Sequence, residues 1–258
     1  MVAAAKLRRA QERIVAARPC SGALNKMLAS VAARVNPEQH ALLKEREEKR
    51  VLVLVVTSDK GLCGAFNGSV LKATEAAVRE RGWEQVQLLP IGRKANDYFR
   101  RRTIPIRYHA LNVFQALSEA KAKEIAKLVV DDYVEEKIDA VFIIYNEFRS
   151  IIAQILHVDK LLPLARVESA DTTIDYLYEP SPEEILRNLL PRHIEFQIYR
   201  TLLDSAAAEQ GARMTAMEGA TKNAGEMIDS LTLTYNRIRQ AAITKEIIEI
   251  VSGAAALD

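Results

Sequence analysis

The feature that most constrains this chain is a heptad stripe toward its C-terminus. Phe196, Arg200, Leu203, Ala207, Gln210, Met214, Met217, Thr221, Ala224, Ile228, Leu231, Tyr235, Ile238 and Ala242 follow one another in alternating steps of four and three. That period keeps one stripe of a helix turned toward a partner helix while the pair supercoils. At ~1.5 Å per residue, a helix from Arg192 to Val251 would be on the order of 90 Å long, far more than the width of a domain of this size. Such a rod has to meet something beyond its own domain. Its start is well specified: Ser181 can cap the first turn, Pro182 suits the first helical position, and Glu184 completes the capping-box spacing. Pro191 is expected to bend the rod after its opening turns. Gly211, Gly219 and Gly225 each cost about 1 kcal/mol relative to alanine, so the sequence predicts a compensating close approach of another helix backbone.

The N-terminal segment carries a second seam, Ala3, Leu7, Ala10, Ile14, Ala17, Ser21, Leu24, Leu28, Val31 and Val35, in the same steps. Pro19 interrupts it without a change of phase, which predicts a bend and not an end; Asn36-Pro37 stops or interrupts it. The mixed-charge run Lys44 to Arg50 reads as a solvated approach to the next unit. Between the seams the grammar changes to continuous apolar strands separated by amphipathic helices. Strands are expected over Val51 to Val56, Val86 to Ile91 and Asp139 to Tyr145, with Ile151 to Leu156 pairing beside the last. Helices are expected over Gly68 to Arg81, Lys94 to Arg101 and Ser118 to Glu136. This describes a mostly parallel sheet covered on both faces. The expected fold is α/β: a long antiparallel coiled coil of the N- and C-terminal helices, residues 1–49 and 181–258, with a Rossmann-like domain, residues 50–180, inserted between them. Burial of both stripes against the α/β domain itself is the commoner fate of amphipathic helices. The C-terminal helix is too long for that along its whole length.

Charge and cysteine content narrow the function. The 36 basic and 34 acidic residues leave a net charge of +2, so bulk electrostatics points to neither nucleic acid nor an anionic membrane. Two cysteines, Cys20 and Cys63, are too few for a disulfide scaffold, and no run approaches the ~18 apolar residues of a membrane span. The basic, apolar start at Met1 is not followed by a cleavage site and reads as helix, not as a signal peptide. His40, His109, His157 and His193 are scattered singly, which predicts no metal site. Asp131-Asp132 and Glu135-Glu136 are sequence neighbours and read as a solvated helix face. Arg100-Arg101-Arg102, beside Arg93-Lys94, also reads as solvated surface more than as a nucleic-acid patch. The sharpest motif is Thr57-Ser-Asp-Lys-Gly-Leu-Cys-Gly-Ala-Phe-Asn67, between a strand and a helix. A glycine-rich turn there can cradle phosphate on free backbone N–H groups. The lysine-hydroxyl pair of a P-loop is missing and Gly61, Gly64 and Gly68 do not fit the dinucleotide fingerprint, so a tight structural turn competes with a nucleotide-binding enzyme built on this turn. Cys63 within it is expected to be a small buried thiol.

Three blocks carry a family resemblance: the start Met1-Val-Ala-Ala-Ala-Lys-Leu-Arg-Arg-Ala-Gln, the Thr57–Asn67 loop, and above all Ala208-Glu-Gln-Gly-Ala-Arg-Met-Thr-Ala-Met217 continuing to Leu233-Thr-Tyr-Asn-Arg-Ile-Arg-Gln-Ala-Ala-Ile-Thr244 and beyond. Over essentially its whole length the chain resembles the gamma subunits of F-type ATP synthases, the central-stalk rotors, of bacterial type. The loop departs mildly, with Lys60 and Ala65 where arginine and glycine are usual. Members usually begin with several further helical turns ahead of the Met1 block, so the upper C-terminal seam is expected to lack its partner turns. The resemblance implies a non-catalytic subunit without cofactor or metal, coupling proton-driven rotation of the c-ring to ATP synthesis at the beta subunits. Its implied partners are the ring of alpha and beta subunits, the epsilon subunit and the c-ring. Its implied place is the cytoplasmic face of the bacterial plasma membrane, held there only through the complex. By motif, Arg239, Gln240 and Thr244 correspond to the polar catch against the beta subunits, and Tyr176, Tyr178 and Glu179 to the foot that meets the c-ring.

Overall fold

The computed structural model describes residues 2–32, 40–164 and 182–255. The chain divides into two units, Met1–Thr215 and Ala216–Asp258.

In the first unit, α1 (Val2–Ala32) is followed by β1 (Arg50–Val56), α2 (Phe66–Glu80), β2 (Gln85–Ile91), α3 (Arg93–Phe99), α4 (Glu119–Val134), β3 (Ala140–Phe148), β4 (Gln154–Leu162) and the opening half of α5 (Pro182–Ala255). The strands form one sheet in the order β2-β1-β3-β4, with β1 parallel to β2 and β3, and β4 antiparallel to β3. The parallel core and both covered faces agree with the α/β expectation. The predicted fourth strand exists but starts later: Ile151 and Ile152 lie in the turn before it, and Arg149, Ser150 and Ala153 close that turn through backbone bonds.

Because side chains alternate across a strand, the apolar run of β1 feeds two cores. Leu52, Leu54 and Val56 join α4 residues Ile125, Val129 and Tyr133 and α5 residues Leu186, Leu190, Ile194, Ile198 and Leu202. Val51, Val53 and Val55 join Val70 and Leu71 of α2 and Ala95 and Phe99 of α3. Pro191 sits inside α5 without ending it. The Ser181 cap lies outside the described residues.

The terminal helices meet as their seams predict. Leu7 and Ile14 of α1 cluster with Leu203 and Ala207 of α5, while Leu28 shares a core with Leu186 and Leu190. Sequence order reverses between the two contacts, so α1 and α5 run antiparallel. The heptad underestimates how much of α5 is buried, however. Every residue from Thr201 to Ser205 is buried, because Leu202 joins the core under the sheet while Leu203, about 100° round the helix, meets α1. Arg200, a stripe position, is exposed.

One residue in each of two charged segments departs from the solvated surface expected, while most of their neighbours are exposed. Asp132 is 2% exposed and accepts from Arg107 Nε at 2.6 Å and Nη2 at 2.8 Å. Arg46, in the mixed-charge run, donates to the carbonyls of Tyr133 and Ile138 and lies over the Tyr133 ring, so it ties the end of α4 to the strand entry. Burial pushes the Tyr133 hydroxyl up to about 12.

Candidate interaction surface

The Thr57–Asn67 loop leaves β1 and turns immediately onto α5. Its shape is set from inside. Asn67 accepts from the Ser58 N–H at 2.9 Å through Oδ1 and donates through Nδ2 to Ser58 Oγ at 2.9 Å and Cys63 Sγ at 3.1 Å. Ser58 Oγ donates to the Lys60 carbonyl. The loop base is fixed to the next strand turn: Thr57 Oγ1 accepts from Ala95 N, and Asp59 Oδ1 accepts from the N–H groups of Arg93 and Asn112. Gly92, at φ +97°, permits this approach, since a Cβ there would lie 2.0 Å from the Thr57 carbonyl oxygen.

The loop then presents Cys63 and Phe66 to Ala208 and Ala212 of α5, with Phe148 alongside. Arg213 Nη2 donates to the Gly61 carbonyl at 3.2 Å and to Glu209 Oε1 at 2.6 Å. Thus the turn serves as a buttress for the long helix. Cys63 is 2% exposed, and burial pushes its thiol up, as a buried structural thiol requires. Burial also raises the Glu209 carboxyl above its usual range, against the pull of Arg213.

The predicted close approach at Gly211 is real but its partner is different. A Cβ there would come within 3.3 Å of Phe148 Cε2 and 3.4 Å of the Ile151 carbonyl oxygen, so the helix meets the β3–β4 turn and not another helix. At Gly219 and Gly225 nothing lies within 4 Å of a built Cβ among the described residues.

The Ala216–Asp258 unit is helical to Ala255, and its side chains from Met217 to Gly253 are almost all exposed. From Met227 to Val251, Met227, Ile228, Leu231, Leu233, Tyr235, Ile238, Ile243, Ile247, Ile248, Ile250 and Val251 stand between 47% and 73% exposed. An apolar surface of this extent marks a site of association. Its arrangement changes along the helix. Ile228, Leu231, Tyr235, Ile238 and Ala242 keep the heptad stripe, but the next stripe positions are Lys245, Glu249 and Ser252. Ile243, Ile247 and Ile250 lie on another face instead. One partner helix could cover the heptad stripe; in the second part Ile248 and Val251, about 140° and 80° round from Ile243, widen the apolar surface so that it needs contact on more than one side.

Arg239, Gln240 and Thr244 are exposed on this unit, and the Thr244 hydroxyl donates to the Gln240 carbonyl of its own helix at 2.9 Å. Gln240 and Thr244, four apart, share a face. Tyr176, Tyr178 and Glu179 lie outside the described residues. The histidines do not converge: His109 is exposed, His157 bonds Glu147 at 2.9 Å, and His193 is buried on α5 against Gln197. Among the described residues no group of three or more His, Cys, Asp or Glu could hold a metal, and no helix is long and apolar enough to cross a membrane. Arg100, Arg101 and Arg102 are all exposed, and Arg102 bonds Tyr98 and pairs with Glu75. The residues sequence reasoning missed are Glu209, Arg213 and Thr215. Their local signal is only the i,i+4 spacing of Glu209 and Arg213.

The sequence model of the ATP synthase family matches residues 1–257. The chain is similar to the ATP synthase gamma chains of Geotalea daltonii, 48% identical over 100% of this chain and 91% of that protein, and of Anaeromyxobacter sp., 49% identical with the same coverage. Among solved structures it is similar to a chain in the central stalk and c-ring of Tetrahymena thermophila mitochondrial ATP synthase. That likeness has a TM-score of 0.65 at 27% identity, covering 86% of this chain and 96% of the other. A chain of the Euglena gracilis mitochondrial ATP synthase, TM-score 0.63 at 19% identity, covering 98% of this chain and 95% of that one, shares the fold.

Proposed function

The chain belongs to the ATP synthase gamma-chain family, and from that premise we propose that it is the non-catalytic rotor of a bacterial-type, proton-translocating enzyme. It carries proton-driven rotation of the c-ring to the nucleotide sites of the beta subunits. Agreement with gamma chains along the whole sequence carries this reading, and the exposed apolar helix beyond Thr215 supports it. The ring of alpha and beta subunits supplies cover on more than one side, which Ile243, Ile247 and Ile250 on one face and Ile248 and Val251 further round the helix require. In physical terms, a shaft that touches each beta subunit differently at each angle has a different interaction energy with each, and that difference shifts the sites between open and closed states.

The rotor is read as three segments, 1–49 and 181–258 forming the coiled coil and 50–180 the foot. Arg239, Gln240 and Thr244 serve as the catch against the beta subunits; Tyr176, Tyr178 and Glu179 meet the c-ring. Epsilon is a further partner, and neither nucleic acid, cofactor nor metal takes part. The subunit is peripheral, on the cytoplasmic face of the bacterial plasma membrane through the complex alone. A nucleotide-binding enzyme built on the Gly61–Gly68 turn is not favoured, because the loop closes on Asn67 and presses on α5.

Co-expression with alpha and beta subunits tests the reading. The expected result is a co-purifying complex with rotation-linked ATPase activity. A chain that stays alone, or one that binds ATP specifically in calorimetry without partners, would overturn it.

A further inference from the structure

We propose that the turn of α5 from Ala208 to Thr215 is a torque joint between the α/β domain and the long helix, with Arg213 and Thr215 as its positioning residues; this rests on the rotor reading. Every residue of the joint and every partner named for it lies within the Met1–Thr215 unit.

At about 100° per residue, these side chains occupy three sectors of the helix circumference. Gly211 and Thr215, about 40° apart, face the β3–β4 turn. Gly211 comes close enough that a Cβ would meet Phe148 and the Ile151 backbone, and Thr215 Oγ1 shares its proton between the Ile151 carbonyl at 3.2 Å and its own Gly211 carbonyl at 3.3 Å. Ala208 and Ala212 come next round the helix, against Cys63 and Phe66. Glu209 and Arg213 lie beyond them, about 160–200° from Gly211, where Arg213 reaches the Gly61 carbonyl. Two segments from different parts of the sheet domain therefore grip the helix around about half its circumference.

The chemistry of the grip suits a joint. Apolar packing is non-directional, so an alanine and glycine surface alone lets a helix turn against its neighbours. Hydrogen bonds weaken steeply as their angle opens, and two of them on opposite sides of the axis cannot both be kept if the helix twists. Burial stops at the same place: Gly211 and Ala212 are buried, Thr215 is exposed, and from Met217 to Gly253 every residue but the half-buried Asn236 is exposed. Among the described residues of the Met1–Thr215 unit, this turn is the last at which the α/β domain holds the helix on more than one side.

The test uses the full chain assembled with alpha and beta subunits, the ring anchored and a bead fixed to the α/β domain. Arg213→Met and Thr215→Val each remove one directional tie while keeping most of the side-chain shape. The angular variance of the bead should rise for each, reach about twofold for the pair, and fall back toward wild type in Arg213→Lys, which restores a donor. In the complete enzyme reconstituted in vesicles with its c-ring, proton pumping against a gradient should fall more than unloaded ATP turnover, a split that simple loss of folded protein would not produce. Variances equal to wild type in assembled complexes would overturn the joint while leaving the rotor reading intact. Where Arg213→Met does not assemble, Thr215→Val, at an exposed position, decides by the same variance. A wild-type chain that forms no complex removes both the rotor reading and the joint.

Discussion

Arg213 donates to the carbonyl oxygen of Gly61 across 152 residues of sequence, and the same nitrogen holds the Glu209 carboxylate at 2.6 Å. One guanidinium thus joins the first loop of the sheet domain to the last helix of the chain, beside a carboxylate that is 5% exposed.

Replacing Arg213 by methionine should destabilise the protein by about 2–3 kcal/mol, because Glu209 is left buried and unpaired. Glu209→Gln added to that variant should recover part of the loss. The sign of the pH effect follows from burial. The Glu209 carboxyl is raised above its ordinary 4.5, its charged form is the costly one, and the deficit should shrink as pH falls through the raised value. Urea unfolding at several pH values measures this; a double variant no better than the single one would contradict it.

Asp139 accepts from Arg50 at three points, the backbone N–H at 2.9 Å, Nε at 2.9 Å and Nη2 at 2.6 Å. The Arg50 side-chain bonds hold its carboxyl below the ordinary 3.8. A depressed acid contributes stability that is complete above 3.8 and disappears as pH falls through the lower folded value. Asp139→Asn should therefore cost about 1 kcal/mol at neutral pH, discounted because Arg50 is partly exposed, and flatten the acid limb of the stability curve. Denaturation midpoints at pH 7 and below the ordinary carboxylate range give the comparison.

Cys63 should resist alkylation in the native protein, reacting on the order of tenfold or more slowly than a free cysteine, because burial raises its thiol and Ala208 and Ala212 cover it. Mass mapping of iodoacetamide-treated native and urea-unfolded protein distinguishes the states. Equal labelling in both would mean the loop is not seated on α5.

Glycines of one helix should respond in opposite ways. Gly225→Ala meets nothing within 4 Å and should raise helix stability by about 1 kcal/mol. Gly211→Leu must displace Phe148 or the Ile151 backbone and should cost about 1–3 kcal/mol. Thermal melts of the isolated chain followed by circular dichroism check both signs.

Arg239→Glu should leave the fold intact, since the side chain is exposed, while lowering coupled proton pumping in the reconstituted complex by about fivefold or more. Pumping and turnover equal to wild type would remove Arg239 from the catch.

Much of this architecture was legible in local sequence. The run Val51 to Val56 has the continuous apolarity of a strand buried on both faces, and Leu7, Ile14, Leu203 and Ala207 meet where their seams predict. Asp132 and Arg46 are covered by distant partners where local sequence predicts solvated charge, because a charged residue on an amphipathic helix or before a strand looks the same whether or not a distant partner covers it. The loop at Gly61 to Gly68 was ambiguous for the same reason: glycines permit a phosphate cradle and a tight buttress equally.

By itself, the sequence determined the period of each element, the α/β order between two heptad helices, and the family. Periodicity and propensity act over a few residues, so they are written locally. Only the tertiary structure decided that α5 is buried all round from Thr201 to Ser205, that Gly211 fits against Ile151, and that Arg213 reaches Gly61. Those contacts join residues far apart in the chain, and their geometry exists only once the sheet has brought the loop and the hairpin turn to the same side of the helix.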